Sequence, residues 1–215
     1  MRVGAFLDAL GNAVHTTQVA DLSGRSVAVL GYGPIGAMCA EIARFSGASH
    51  IAITEVNTQA AGHARRWARE RGGEHVSVID LSRTKDPVGS LKEATGGGAD
   101  VVLELSGAEA SINLGLAAAR RGRIVSLLGL PREKAVAIRD YTNDFIFKGL
   151  TLHAVIGRRI FETWIKMLDL LEAGLQVEHL VTNEFEGFEK FHEAMELLNR
   201  REAMKVVFYP NGKPK

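Results

Sequence analysis

Glycines occupy the first, third and sixth places of the turn Gly31-Tyr32-Gly33-Pro34-Ile35-Gly36. A β-branched apolar run over 27–30 leads into it, and a helix-like pattern leaves it at Pro34. Between a strand and a helix, this spacing sets a dinucleotide's pyrophosphate on the unpaired amides of a helix N-terminus. Gly31 permits the tight turn, Gly33 lets the backbone approach phosphate, and Gly36 lets helix and sheet pack closely. The next apolar run, Ile51-Ala52-Ile53-Thr54-Glu55, ends in a carboxylate nineteen residues after Gly36. An acid there accepts hydrogen bonds from both hydroxyls of an adenosine ribose and repels a 2′-phosphate, which points to NAD rather than NADP. The alternative for Glu55 is a solvated acid at a strand end.

Two further loops fall at strand C-termini, where open α/β sheets bind ligands. Ser106-Gly107 follows the fourth apolar run, and Leu128-Gly129-Leu130-Pro131 follows the fifth. Small residues there let a flat nicotinamide ribose lie against backbone; the alternative is two plain turns. The seven histidines, at 15, 50, 63, 75, 153, 179 and 192, show neither HxxxH nor HxH pairing. The single cysteine, Cys39, sits among Ile35, Met38, Ile42 and Ala43 and reads as core. A catalytic zinc takes three protein ligands, so no metal residues are assigned. No Gly-x-Ser-x-Gly elbow occurs.

The elements that must position these residues alternate. Apolar runs at 27–30, 51–53, 76–79, 101–105, 124–128 and 150–155 read as strands, most of them continuous, as expected when helices cover both faces. Helical patterns fill 34–46, 58–71, 87–95 and 108–120, with Gly47, Gly72 and Gly96 as stops. The fold class is α/β, a doubly wound parallel six-stranded Rossmann sheet ordered 3-2-1-4-5-6, with a small C-terminal α+β tail. The tail reads as a helix at 161–173, a short strand at 180–182, a helix at 188–199 and a strand at 205–209. Residues 1–23 form a lead-in helix segment, 24–176 the nucleotide domain, and 177–215 the tail. The 215 residues are 46% hydrophobic and 24% charged with net charge +1, which points to neither nucleic acid nor an anionic membrane. One cysteine suits a reducing cytoplasm, and no run is long enough to span a bilayer.

The segments Leu10-Gly11-Asn12-Ala13-Val14-His15-Thr16, GYGPIG, Leu103-Glu104-Leu105-Ser106-Gly107, Gly122-Arg123-Ile124-Val125-Ser126-Leu127-Leu128-Gly129 and Ile146-Phe147-Lys148-Gly149 follow one another in a familiar order. The chain from about Asp8 to Tyr209 resembles the zinc-dependent medium-chain alcohol dehydrogenases. Gly157-Arg158 and Phe161-Glu162-Thr163-Trp164 resemble their threonine dehydrogenase branch in particular. The resemblance implies that Ile35 backs the nicotinamide, that Glu55 holds the adenosine ribose, and that Leu128, Gly129, Leu130, Val155 and Ile156 offer backbone to the nicotinamide end. It places Asp8 where the branch carries an acid of a proton relay, and Lys205 where relatives set a basic residue near the pyrophosphate. The alternatives are a helix-capping Asp8 and a solvated Lys205.

The resemblance also implies a zinc whose ligands and principal relay lie in an N-terminal GroES-like domain, of which these residues hold none. Ala60 stands where a basic residue often follows the ribose acid by five positions, and Val181-Thr182-Asn183 replaces the branch's Ile-Thr-His. The segment after Val177 resembles the part of the chain that rejoins that domain. The expected function is the NAD-binding portion of an oxidoreductase that oxidises a secondary hydroxyl, L-threonine first, and is inactive without a zinc domain. The alternatives are a stand-alone NAD(H)-binding module or degenerate remnant, and a dehydrogenase of another polyol or secondary alcohol. The partners expected are NAD(H), a small-molecule substrate, and a second copy in a homodimer or homotetramer.

Overall fold

The computed structural model describes residues 2–213. A lead-in helix α1 (Leu7–Thr17) precedes six strands: β1 (Ser26–Leu30), β2 (His50–Glu55), β3 (Val76–Asp80), β4 (Ala99–Glu104), β5 (Ala119–Leu127) and β6 (Thr151–Ala154). All neighbours pair in parallel in the order β3-β2-β1-β4-β5-β6, the Rossmann arrangement expected from the alternating pattern. Helices α2 (Pro34–Phe45), α3 (Thr58–Trp67), α4 (Pro87–Ala94) and α5 (Glu109–Ala118) form the crossovers. Parallel strands alternate their side chains between two helix-covered faces. Val27 and Val29 of β1 therefore join one core cluster with α1 and α2, while Ala28 and Leu30 join the other with α5.

Several boundaries differ from the sequence reading. The helix expected over 58–71 is regular only to Trp67 and finishes in a wide turn, Ala68–Gly72. The left-handed residue that stops it is Gly73, with φ +77°, rather than Gly72. Strand β5 begins at Ala119 instead of 124, because Ala119 pairs with Ala99 before an irregularity in the ladder. The cysteine reading as core matches its burial, which pushes the Cys39 thiol pKa upward.

After β6 comes α6 (Glu162–Glu172), then a 3-10 turn at Glu178–Leu180, β7 (Asn183–Glu186), α7 (Phe191–Asn199) and β8 (Val206–Tyr209). The strand expected at 180–182 lies three residues later. Leu180 turns into the main core beside Leu175 and Val177, and the Thr182 hydroxyl is occupied by the backbone at Met204 and Lys205. Strands β7 and β8 pair in parallel as a separate two-stranded sheet. Its outer face is pinned to the chain's first turn: Arg2 donates to both Glu184 carboxylate oxygens at 2.6 and 2.9 Å, and the Tyr209 hydroxyl donates to the same group at 2.7 Å. These donors, with Lys213 at 3.1 Å, hold the Glu184 carboxyl down at about 2. Among the described residues no helix is long and apolar enough to cross a membrane.

Candidate functional site

The glycine turn lies at the C-terminal edge of β1. Gly31 has φ +100°, a left-handed conformation that favours glycine, and its amide donates to the Thr54 carbonyl of β2 at 2.9 Å. A methyl on Gly36 would overlap the Gly31 carbonyl oxygen, so α2 approaches the strand end as closely as a glycine allows. Around Gly33 there is open space. The amides of Gly33, Ile35 and Gly36 have no acceptor among the described residues, leaving three donors at the positive end of α2.

Glu55, at the end of β2, is buried and accepts three backbone hydrogen bonds. Its Oε2 takes the Tyr32 amide at 2.8 Å, and Oε1 takes those of Val56 and Asn57 at 2.9 Å. A carboxylate has about four acceptor sites, so Oε2 retains one for an external hydroxyl. The sequence reading gave Glu55 two ribose hydroxyls; the backbone already claims most of that capacity.

Glu104, which the sequence reading passed over as strand interior, organises the other half. It is fully buried, and its Oε1 accepts from the Ser106 amide at 3.0 Å, the Ser106 hydroxyl at 2.6 Å and the Gly107 amide at 3.1 Å. Its main-chain oxygen accepts from the amides of Leu128 and Gly129 at 2.9 and 3.1 Å. One residue therefore pins the loops after β4 and β5 together. An acid two places before a Ser-Gly turn was the available signal.

These parts enclose a cleft of about 1170 Å³. Gly31, Gly33, Pro34, Ile35 and Gly36 line one end, with Glu55 and Ser106 nearby and Leu130 on the opposite loop. Leu128 and Gly129 stand behind that loop, where Gly129 packs on Gly107. Val155 and Ile156 follow β6 on the same sheet edge, with the Val155 amide bonded to the Leu127 carbonyl at 2.8 Å. Asp8 and Lys205 are not on the cleft walls. Asp8 is exposed on α1 and paired with Arg158; the Lys205 ammonium sits 5.4 Å from the centre of the Phe6 ring. Arg201, not singled out from the sequence, does line the cleft.

The helix that presents the glycine turn is braced from behind. Glu41 of α2 is fully buried and accepts from the Trp67 indole at 2.7 Å and from Arg44, with His179 of the tail at 3.5 Å. Burial alone would raise its carboxyl, but His179, Arg44 and Trp67 outweigh it and bring it down to about 2. Burial and the Glu41 charge push the Tyr32 phenol upward.

The cleft fits a dinucleotide: free amides at a helix start, open space above Gly33, and a carboxylate with one acceptor site left. Zinc is a different case. Among the described residues, no group of three or more His, Cys, Asp or Glu side chains is placed to hold a metal ion.

Relatives agree with the architecture. The chain is 37% identical over 210 residues to the L-threonine 3-dehydrogenase of Thermococcus kodakarensis, covering 96% of this chain and 57% of that protein. It is 40% identical over 195 residues to the enzyme of that name from Idiomarina loihiensis, covering 90% and 54%. It thus spans little more than half the length of the curated relatives it matches. Among solved structures, the 2R,3R-butanediol dehydrogenase of Bacillus subtilis superposes with a TM-score of 0.83 at 26% identity, over 98% of this chain and 58% of that one. A zinc-binding dehydrogenase of Sinorhizobium meliloti 1021, solved bound to NADP, shares the fold with a TM-score of 0.75 at 23% identity, over 95% and 58%. The family of zinc-binding dehydrogenases matches residues 34–173, from the first turn of α2 to the end of α6. With that match lying on the elements that build the cleft, the chain belongs to the zinc-binding dehydrogenase family.

Proposed function

We propose that this chain binds NAD(H) as the nucleotide half of an oxidoreductase that oxidises a secondary hydroxyl, with L-threonine as the first candidate substrate. The observation that carries this reading is the pairing of three free amides on α2 with the Glu55 carboxylate across one cleft. The amides receive the diphosphate. Glu55 Oε2 accepts an adenosine ribose hydroxyl, and its charge opposes a 2′-phosphate, so NADH binds more tightly than NADPH. Ile35 backs the nicotinamide, while Ser106, Leu130 and the backbone near Gly129 and Val155 bound its ribose. When bound, the oxidised cofactor supplies a hydride acceptor at its nicotinamide ring. The threonine substrate follows from the two relatives of that name.

The described residues do not fit a zinc site. That observation favours a second reading for the isolated chain, a binding module without turnover. Fluorescence titration with NADH and NADPH tests the first reading; absence of binding, or equal binding of both, refutes it. Assay of threonine oxidation by the purified chain with added zinc separates the two. We expect negligible turnover, and robust activity would overturn the claim that the chain needs residues from elsewhere. Among the described residues β6, like β3 at the other edge, pairs on one side only, and association through the β6 edge is the proposed dimer contact; sedimentation of the chain as a monomer would exclude it.

A further inference from the structure

A second pocket, of about 310 Å³, opens beside the glycine turn. Gly33 and Pro34 form one side of it, Ala60 and His63 of α3 another, and Arg201 comes from the turn after α7. Arg201 also lines the main cleft, so the residue stands where the two spaces meet. It is exposed and has no carboxylate partner among the described residues, whereas its neighbour Arg200 pairs with Glu202 at 3.4 Å. The turn that presents it is defined by hydrogen bonds from the Arg201 amide to the Leu198 carbonyl and from the Glu202 amide to the Leu197 carbonyl, at 3.1 and 3.0 Å. Arg132 and Arg139 line the main cleft but not the smaller pocket, where His63 is the other basic side chain. Position 60 is alanine, and Lys205 stands over Phe6 away from both pockets.

We propose that Arg201 is the cation that holds the cofactor's diphosphate, delivered from the turn after α7 to the pocket shared with Ala60. This rests on the reading of the cleft as an NAD(H) site. A diphosphate carries two negative charges, and the free amides of Gly33, Ile35 and Gly36 meet them with neutral donors. A guanidinium adds charge and a planar fork of N–H groups matched to phosphate oxygens. Its place beside Gly33 and Pro34 puts it over the same helix start that receives the diphosphate. Arg201 is thus an affinity contact to the diphosphate that NADH, NADPH and ADP-ribose share.

The test is a titration of the full chain and its variants with NADH, NADPH, ADP-ribose and adenosine. Arg201→Ala is expected to weaken NADH and ADP-ribose by roughly 10- to 100-fold, as for a lost charge-assisted contact, and to spare adenosine. Arg201→Gly gives the same loss and guards against misfolding, because glycine suits the φ of +61° at this position. Arg200→Ala, a neighbouring charge change, leaves NADH affinity in place. Wild-type affinity in Arg201→Gly overturns the proposal, as does an equal loss of adenosine. A loss confined to NADPH assigns the arginine to a 2′-phosphate and also overturns it. A loss that follows Lys205→Ala while sparing Arg201→Gly gives the role to Lys205. Failure of the wild type to bind NADH refutes the underlying cleft reading itself, a result distinct from normal binding by the wild type and the variant alike.

Discussion

Alanine at Gly36 and alanine at Gly33 add the same methyl three residues apart, and the structure separates their consequences. At Gly36 the new carbon overlaps the Gly31 carbonyl oxygen and lies 3.1 Å from its carbon, with Leu105 Cδ1 at 3.5 Å. Backbone cannot turn aside as a flexible side chain can, so α2 must retreat from β1. Overpacking of this kind costs about 2 kcal/mol, which for a chain of this size lowers the melting temperature by about 4–8 °C. At Gly33 the φ of −79° suits any residue and nothing lies within 4 Å. Gly33→Ala should therefore melt within about a degree of wild type, the size of a neutral surface change. Its methyl projects where phosphate must approach backbone, so NADH affinity should fall about tenfold or more. Paired thermal melts and NADH fluorescence titrations read both quantities. A Gly33→Ala protein that binds NADH normally refutes the placement of the diphosphate, and a Gly36→Ala protein as stable as wild type refutes the close-approach reasoning.

Other outcomes follow from groups around the cleft. Glu55→Ala removes the charge facing the ribose and should bring NADH and NADPH affinities within about threefold of each other, less than a kcal/mol apart; unchanged preference in a titration would count against Glu55. It also strands three amides, so about 1–3 kcal/mol of stability should go with it in a urea melt. Glu104→Ala should cost about 3 kcal/mol, since it removes the buried acceptor of the Ser106–Gly107 turn and leaves the buried Gly107 amide unpaired; a melt within error of wild type would contradict this. Glu41, with its folded pKa lowered to about 2, adds stability that is full above its unfolded value and is lost as pH falls toward the folded one. Between about pH 4.5 and 2 that contribution, at most about 3 kcal/mol, should disappear, and Glu41→Gln should flatten the slope of unfolding free energy over that window.

Legibility from sequence tracked how local the physics is. Strands β1, β2 and β4 are continuous apolar runs buried on both faces, and the glycine turn is specified by three residues within six positions, so both could be read directly. Strand β5 begins in Ala119-Arg120-Arg121-Gly122, which has no apolar pattern; only its pairing across the ladder irregularity reveals it. Leu180-Val181-Thr182 has the look of a strand, yet Leu180 is spent on the main core and the ladder starts after it. Glu104 had one signal, the Ser-Gly turn two places on, but an acid in an apolar run does not show which amides it will meet. Arg201 shares a pocket with Gly33, and nothing in spacing announces a contact across so much chain. Asp8 and Lys205 entered by likeness to relatives, and the structure gives them Arg158 and Phe6 as neighbours.

The grip of Arg2 on Glu184 has a consequence for the order in which the molecule folds. The two residues are 182 positions apart, and closing a loop of that length from an open chain costs roughly 4–5 kcal/mol of entropy. The six-stranded sheet needs only residues 26–154, so it can assemble while the tail is still unattached. Once it has, α1 and the tail are already near one another and most of that closure cost has been met. The β7–β8 sheet is therefore expected to dock last, and a protease that samples early refolding should find the tail open while the sheet is already protected.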